Sequence, residues 1–555
     1  MTGGGPSFDY YIDSVNGSDS NSGTSLTTAK QTLNGPTYAD NKRLALVAGS
    51  TWREGLNKSN TGLMFSNAGS GEMPLIDGSD VATGWTAHAT LTDVWEKSWT
   101  HDATGTNRLT IYKDNSLLTR VADAATCSAT PNSFVDVKGS SGATVTLQIN
   151  VGSGANPTSF TIEASKRLNV LTLTGNNASV SGIHTRRAID NNGSLDNLNT
   201  TGSSVSRILA EDGTKHNLAI GPGTATDCVA YHSDPPTSYE TSNTMFVSYK
   251  DVNTSGSATF TRCFAVDRAP VAGLVGFYAH GASPPNDYIS SATYDQCAVS
   301  GVYSGFSGLT MTRTITNCYS KKTPGPIGGN MGTLTVLRSV FDMSDPGNGL
   351  FAQINPTKLT AAAALNVEFV DCIFYSASAN GVEMFRFGGT ESVTFTNCIF
   401  YSGTANRPKV INSSAVAIAL TCNGCIFYGP GNWMLDVSTA YTSYTGDNNV
   451  FYNPSGSVAL RYHGTVITDI ATWRSNTGQD AHSVIGNPGF SGTVANGDFR
   501  LTAGGNAALI NSGVQNHWDW NARAIASGPP SAWPVIPETL ADAKIYLANP
   551  SGWSF

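Results

Sequence analysis

Charge is scarce in this chain: only 13% of its 555 residues are Asp, Glu, Lys or Arg. The 32 basic and 40 acidic side chains leave a net charge of −8, and no run of Lys or Arg would neutralise a nucleic-acid backbone. DNA and RNA are therefore excluded as expected partners. No apolar run approaches the roughly 18 residues that span a bilayer, so no membrane span is expected. No stretch keeps a 3.6-residue apolar period, which excludes long amphipathic helices. The opening Met1-Thr2-Gly3-Gly4-Gly5-Pro6 has neither a basic nor an apolar leader segment, and no secretory signal is read from it. The nine cysteines do not group as metal-type pairs. Cys422-x-x-Cys425 sits in an alternating β pattern, where a regular strand would send the two side chains to opposite faces, so free buried thiols are expected.

What is abundant is equally informative. The 58 glycines and dense Ser, Thr and Asn accompany 40% hydrophobic residues, enough for a packed core and too many for disorder. A short strand recurs along the chain. It appears as Asp227-Cys228-Val229-Ala230-Tyr231, Arg262-Cys263-Phe264-Ala265-Val266, Gln296-Cys297-Ala298-Val299 and Asn317-Cys318-Tyr319. A Cys-less copy follows at Ser339-Val340-Phe341, then Asp371-Cys372-Ile373-Phe374-Tyr375, Asn397-Cys398-Ile399-Phe400-Tyr401 and Gly424-Cys425-Ile426-Phe427-Tyr428. The last copy is Asn449-Val450-Phe451-Tyr452. Taken at positions 228, 263, 297, 318, 340, 372, 398, 425 and 450, the steps are 35, 34, 21, 22, 32, 26, 27 and 25 residues. Steps in the twenties match one coil of three short strands, and longer steps imply loops inserted into a coil. Cys and the alternate Phe would stack on their counterparts one coil up, and the Asn or Asp before them suits a turn. The expected fold is all-β, a right-handed parallel β-helix (solenoid).

Two ends of the chain carry a resemblance. Tyr11-Ile12-Asp13-Ser14-Val15-Asn16-Gly17-Ser18-Asp19, Gln31-Thr32-Leu33, Leu46-Val47-Ala48-Gly49-Ser50-Thr51-Trp52-Arg53-Glu54 and Pro74-Leu75-Ile76-Asp77-Gly78 resemble the first coils of the right-handed parallel β-helix superfamily. Ile162-Glu163-Ala164-Ser165 and Val180-Ser181-Gly182-Ile183 resemble its re-entry into regular coils, and Asp498-Phe499-Arg500-Leu501-Thr502 its closing segment. That superfamily includes pectate-lyase-like polysaccharide lyases and phage tailspike proteins. The resemblance implies architecture more than chemistry, because these motifs serve caps and turns. The expected organisation is a cap with first coils over 1–80, a β-rich insertion over 81–160, a main β-helix over 161–525 and an irregular tail or cap over 526–555. A short helix is expected at Glu538–Lys544.

Sites on such a solenoid form on exposed strand faces walled by inserted loops, and the longest steps fall at 228 to 297. The expected catalytic residues are Asp234, Asp267, Arg268, Lys250, His216 and His280. Glu240, Tyr239, Tyr249, Tyr278 and His232 are expected to bind substrate. Asp234 and Asp267 lie close to one coil step apart, which would stack them at the spacing of adjacent strands. A lyase would use Arg268 with Lys250 or His216 to neutralise a uronate and remove its proton. A hydrolase would instead use Asp234 with Asp267 or Glu240. Arg186-Arg187 and Lys321-Lys322 are further candidates for anionic sugar. No cofactor is expected, although the oxygen-rich Asp13–Ser25 loop is a candidate for Ca²⁺.

The resemblance implies a polysaccharide partner and a phage tailspike or receptor-binding depolymerase, a homotrimer on the virion surface that attaches to its host. The alternatives are a secreted bacterial polysaccharide lyase and a non-enzymatic fibre or adhesin, and any of these is extracellular or on the virion.

Overall fold

The repeat bends at one residue, and that residue explains why the strands alternate between sheets. Asp227, Arg262, Gln296, Asn317, Arg338, Asp371, Asn397 and Asn448 all have φ between 46° and 59°, and Gly424 has φ 66°. A single left-handed residue turns the chain sharply from one strand into the next, and Asn, Asp and Gly reach that region at least cost. Replacing Asn397 with valine is expected to cost about 1–2 kcal/mol in a urea titration, while glycine at the same position should be nearly neutral.

A computed structural model describes residues 7–499 and 536–550, except for 103–108, 139–143, 190, 196–201, 233–243, 250–255, 269–272, 281–288, 345–353, 359–363, 377–382, 388–391, 404–408, 414–417, 431–433, 438–440 and 491–498. It divides into two compact units. The first comprises Met1–Tyr249, Val266–Ala269 and Glu538–Ala548, and the second Lys250–Ala265, Pro270–Pro537 and Asn549–Phe555. The fold is an all-β parallel β-helix, as the repeat implies.

In the first unit successive coils contribute strands to three parallel sheets. The first sheet runs through Tyr10–Ile12, Arg43–Val47, Met64–Ala68, Ser179–Ser181, Ser203–Ser206 and Gly223–Thr226. The second runs through Thr51–Trp52, Leu75–Asp77, His184–Arg186, Leu209–Glu211 and Val229–His232. The third runs through Leu56–Lys58, Asn169–Leu173, Asn191–Leu195, His216–Ile220 and Thr244–Tyr249.

Asn169–Leu173 pairs directly with Leu56–Lys58. The chain between Asp77 and Asn169 is therefore spliced into one coil. It forms a four-stranded antiparallel sheet of Ser79–Val81, Ile162–Ser165, Ile111–Lys113 and Ser116–Leu117. It also forms a five-stranded sheet containing Trp95–Thr100, Ser133–Lys138 and Thr144–Asn150. Trp85, Trp99, Ile111, Phe134, Leu147 and Ile162 share its core.

The helix Leu540–Ala548 also belongs to the first unit. It starts two residues later than the sequence suggests, because Thr539 and Asp542 form a reciprocal cap. Arg207 donates to the Leu547 carbonyl at 3.1 Å, and the Tyr546 hydroxyl donates to Asp227 at 3.0 Å. It thus lies against the strands Leu209–Glu211 and Val229–His232.

In the second unit the repeated strands stack in one sheet, from Ala298–Ser300 through Tyr319–Lys321, Val340–Asp342, Ile373–Ser376, Ile399–Ser402, Ile426–Tyr428 and Val450–Tyr452 to Val484–Ile485. Register makes like stack on like. Phe341, Phe374, Phe400, Phe427 and Phe451 form an inward column with ring centroids 5.5, 5.3, 4.7 and 5.1 Å apart. Tyr375, Tyr401, Tyr428 and Tyr452 form an outward column at 5.1, 5.5 and 5.3 Å. Phe490 and Phe499 pack against that column edge-on or tilted.

Two details differ from the sequence reading. The Cys-less copies are out by one residue: Ser339 and Asn449, not Val340 and Val450, occupy the cysteine position. Ser339 accepts from the Cys318 amide and Asn449 from the Cys425 amide. Cys422 and Cys425 do not share a strand either. Cys422 ends on Ile418–Asn423 and Cys425 follows the Gly424 bend, so both are buried. None of the nine cysteines forms a disulfide, and all are buried. Most of the repeat thiols donate to the carbonyl two residues back, as Cys372 does to Val370 at 3.3 Å.

Candidate functional site

The second sheet of the first unit has an unusual outward column. Trp52, Ile76, Thr185, Ala210 and Ala230 are in register and buried, so they face the core. The next residue along the chain in each coil faces the other way: Arg53, Asp77, Arg186, Glu211 and Tyr231. Arg186 is in register with Asp77 on one side and Glu211 on the other, and Glu211 with Tyr231. Five successive rungs thus carry an ionisable group, roughly 4.8 Å apart.

The spliced segment brings further groups to this face. Glu163 and Tyr112 are paired across its four-stranded sheet. Arg186 donates to Asp77 through Nε at 2.9 Å and Nη2 at 2.8 Å. Arg53 reaches Asp77 at 3.2 Å and also pairs with Glu163. Arg187, held at φ 59°, pairs with Glu163, donates to Asn115 at 3.1 Å and lies 3.8 Å from the centre of the Tyr112 ring. His184 Nε2 is 2.8 Å from Glu211 Oε2. Asp77, Glu163, Arg187 and Glu211 are all buried, and Arg53, with 30% of its side chain exposed, is the most open member.

Burial works against a charge on Asp77, but Arg186, Ser79 and Arg53 outweigh it and hold the carboxyl below its ordinary range. Burial likewise opposes Glu211, and the His184 bond with the charges of Arg187 and Arg186 reverses the sign. Both carboxylates are therefore ionised at neutral pH. The Tyr112 phenol is pushed far up, first by burial and then by Asp212.

The residues expected from sequence fall into three groups. His216, His232, Asp267 and Arg268 all belong to the first unit. His216 and Asp267 are buried and Arg268 is exposed. His232 is pushed down to about 4 by burial, opposed by its bond to the Gly213 carbonyl, so it is neutral at neutral pH. Arg268 bonds to the Tyr231 phenol, which ties it to the end of the outward column. Tyr278 is half-buried in the second unit, near Arg313. Asp234, Tyr239, Glu240 and Lys250 lie outside the described residues, as do the side chains of Tyr249 and His280.

Of the basic pairs, Arg186-Arg187 enters the network, while Lys321 and Lys322 lie in the second unit beside Asp342. In the Asp13–Ser25 loop, Asp13 accepts from the amides of Val15 and Asn16 and from the Ser50 hydroxyl. Asp19 accepts from the amides of Gln31 and Thr32. Each carboxylate thus faces hydrogen-bond donors, the opposite of a cation cage. Among the described residues no three His, Cys, Asp or Glu side chains group as metal ligands, and no helix is long and apolar enough to cross a membrane.

Arg53, Asp77 and Glu163 were visible in the sequence only as parts of coil motifs. The signal that marks Arg53 and Asp77 is the residue after the buried position of each second-sheet strand, which is ionisable on five consecutive coils; Glu163, on the spliced segment, carries no such signal.

No family model matches the chain, and no curated protein matches it. Among solved structures it is similar to XylC in complex with xylose, with a TM-score of 0.48 at 10% identity over 82% of this chain and 86% of that one. It is also similar to the GH136 lacto-N-biosidase from Eubacterium ramulus, with a TM-score of 0.31 at 12% identity over 86% and 67% of the two chains. The tailspike protein gp49 from Pseudomonas phage LKA1 matches with a TM-score of 0.22 at 11% identity, over 66% and 75%.

Proposed function

We propose that the protein binds a polysaccharide beside the charged face of the second sheet of its first unit, where the Arg53 and Arg186 side chains stay partly exposed, and cleaves it there. The observation that carries this reading is the ladder Arg53–Asp77–Arg186–Glu211–Tyr231. Ionisable groups concentrated and partly desolvated on one face are the usual mark of a site. Chemistry by elimination fits this face better than acid hydrolysis. A hydrolase needs one carboxyl protonated, whereas Asp77 and Glu211 are held ionised. Elimination needs a cation beside the sugar carboxylate and a base, roles that Arg186 and the Glu211-oriented His184 can fill.

The test is incubation with a panel of bacterial capsular and uronate polysaccharides, read by absorbance at the unsaturated-uronate band and by reducing ends. A rise in both is expected, with Arg186→Gln lowering the rate about 10²-fold or more. Reducing ends without absorbance would move the chemistry to a hydrolase, with Asp234 and Asp267 the first residues to change. Silence on a glycan that the protein demonstrably binds would leave an adhesin. The finer reading of a phage tailspike-like, receptor-binding depolymerase belongs to the same proposal. A homotrimeric mass in solution would support it, and a monomer would favour a secreted lyase.

A further inference from the structure

One coil of the second unit has a polar interior. Its strand Ser304–Thr316 turns an internal corner at Gly308, φ 113°, and places Arg313 fully inside the solenoid. Two guanidinium nitrogens of Arg313 are satisfied by corner carbonyls. Nη1 donates to Phe306 at 3.1 Å and Gly328 at 2.7 Å, and Nη2 donates to Gly308 at 3.0 Å. Among the described residues no carboxylate pairs with it and Nε has no hydrogen-bond partner. Three hydroxyls in the same coil and the one before it share that condition. Tyr294 Oη, Thr310 Oγ1 and Ser320 Oγ are buried and without a partner among the described residues.

Tyr294 and Arg313 belong to one neighbourhood. Ala292 is in register with Arg313, so Tyr294 sits on the adjacent strand two residues along, on the same face. The Tyr294 ring is 5.1 Å from that of Phe306, whose carbonyl Arg313 holds. Burial pushes the Tyr294 phenol up to about 12, with Arg313 pulling it the other way, so it keeps its proton. All four groups can therefore donate, and the only formal charge among them is positive. An isolated cation in a low-dielectric interior is costly unless it is compensated.

We propose that the interior of this coil is a site for a small monovalent anion, of the halide class, held by Arg313 Nε and the Tyr294 hydroxyl with Thr310 or Ser320. The anion would supply a counter-charge and accept from donors that have no acceptor among the described residues. Its residues all belong to the second unit.

The test uses the full chain, dialysed from chloride into bromide and crystallised, with diffraction recorded at the bromine absorption edge. An anomalous peak within contact of Arg313 Nε is expected. Thermal unfolding should also rise with bromide or chloride concentration at constant ionic strength, relative to a bulky anion that cannot enter. Arg313→Met should abolish both effects. Because that variant can fail to fold, Tyr294→Phe serves as the second, keeping the ring packing while removing the hydroxyl, and it should weaken the halide dependence at least several-fold. Ordered water at Nε with no anomalous peak, together with a melting midpoint indifferent to halide, would overturn the proposal.

Discussion

Replacing Arg187 with alanine should destabilise the protein by about 3–5 kcal/mol, measured as a shift of the urea midpoint at neutral pH. Arg187 is buried between Glu163 and the face of Tyr112. Its removal takes away the partner of Glu163 Oε2 inside a closed environment and empties the space above the ring. Arg53 still reaches the other oxygen of Glu163, which sets the expectation within this range rather than above it. Lysine should recover only part of the loss, since it cannot stack a planar cation on Tyr112 while reaching Asn115.

The variant should also change the response to acid. The folded Glu211 carboxyl is depressed, so its contribution to stability is present above the unfolded value, about 4.3, and is lost as pH falls through the lower folded value. Arg187 is one cause of that depression, after the His184 bond. Without it the depression shrinks, and so does the part of the acid-induced loss that Glu211 supplies. A midpoint unchanged within about 1 kcal/mol would show that the guanidinium is no more than a surface partner.

The solenoid could be read from sequence because its repeat is local. The bend residue, the cysteine and the stacked Phe occur within five positions, and each copy aligns with the next by composition alone. The one-residue slip at Ser339 and Asn449 arose because serine and asparagine fill a small buried slot by hydrogen bonding, which an apolar pattern does not register. The charged face was harder. Glu163 reaches Arg53 only because an entire β-rich segment is spliced between Asp77 and Asn169 and folds back over the second sheet, and no spacing in the sequence encodes that return. Arg186-Arg187 stood out as a basic pair, yet its partners are more than 20 residues away or in the preceding coil. The aromatic candidate Tyr278 was singled out by proximity in sequence to the long loops, and it lies in register with Ser307 and near Arg313.

Phe400→Ala in the second unit should cost about 3–5 kcal/mol, the range for removing a buried aromatic side chain. Its ring lies 5.3 Å from Phe374 and 4.7 Å from Phe427, and Phe395 and Phe385 meet it edge-on at 5.1 and 5.8 Å. The cavity would open in the middle of a continuous column, where the strands above and below are hydrogen-bonded in register and cannot collapse inward without breaking their pairing. In a repeat architecture each coil is stabilised chiefly by its neighbours. The loss should therefore be felt first in Ile373–Ser376 and Ile426–Tyr428, whose amides would exchange faster, and only later in Ala298–Ser300. Uniform acceleration across the unit would instead mean that its coils unfold as a single cooperative block. The contrast between these two patterns separates nearest-neighbour coupling from global coupling, because the mutation removes the same contacts in either case.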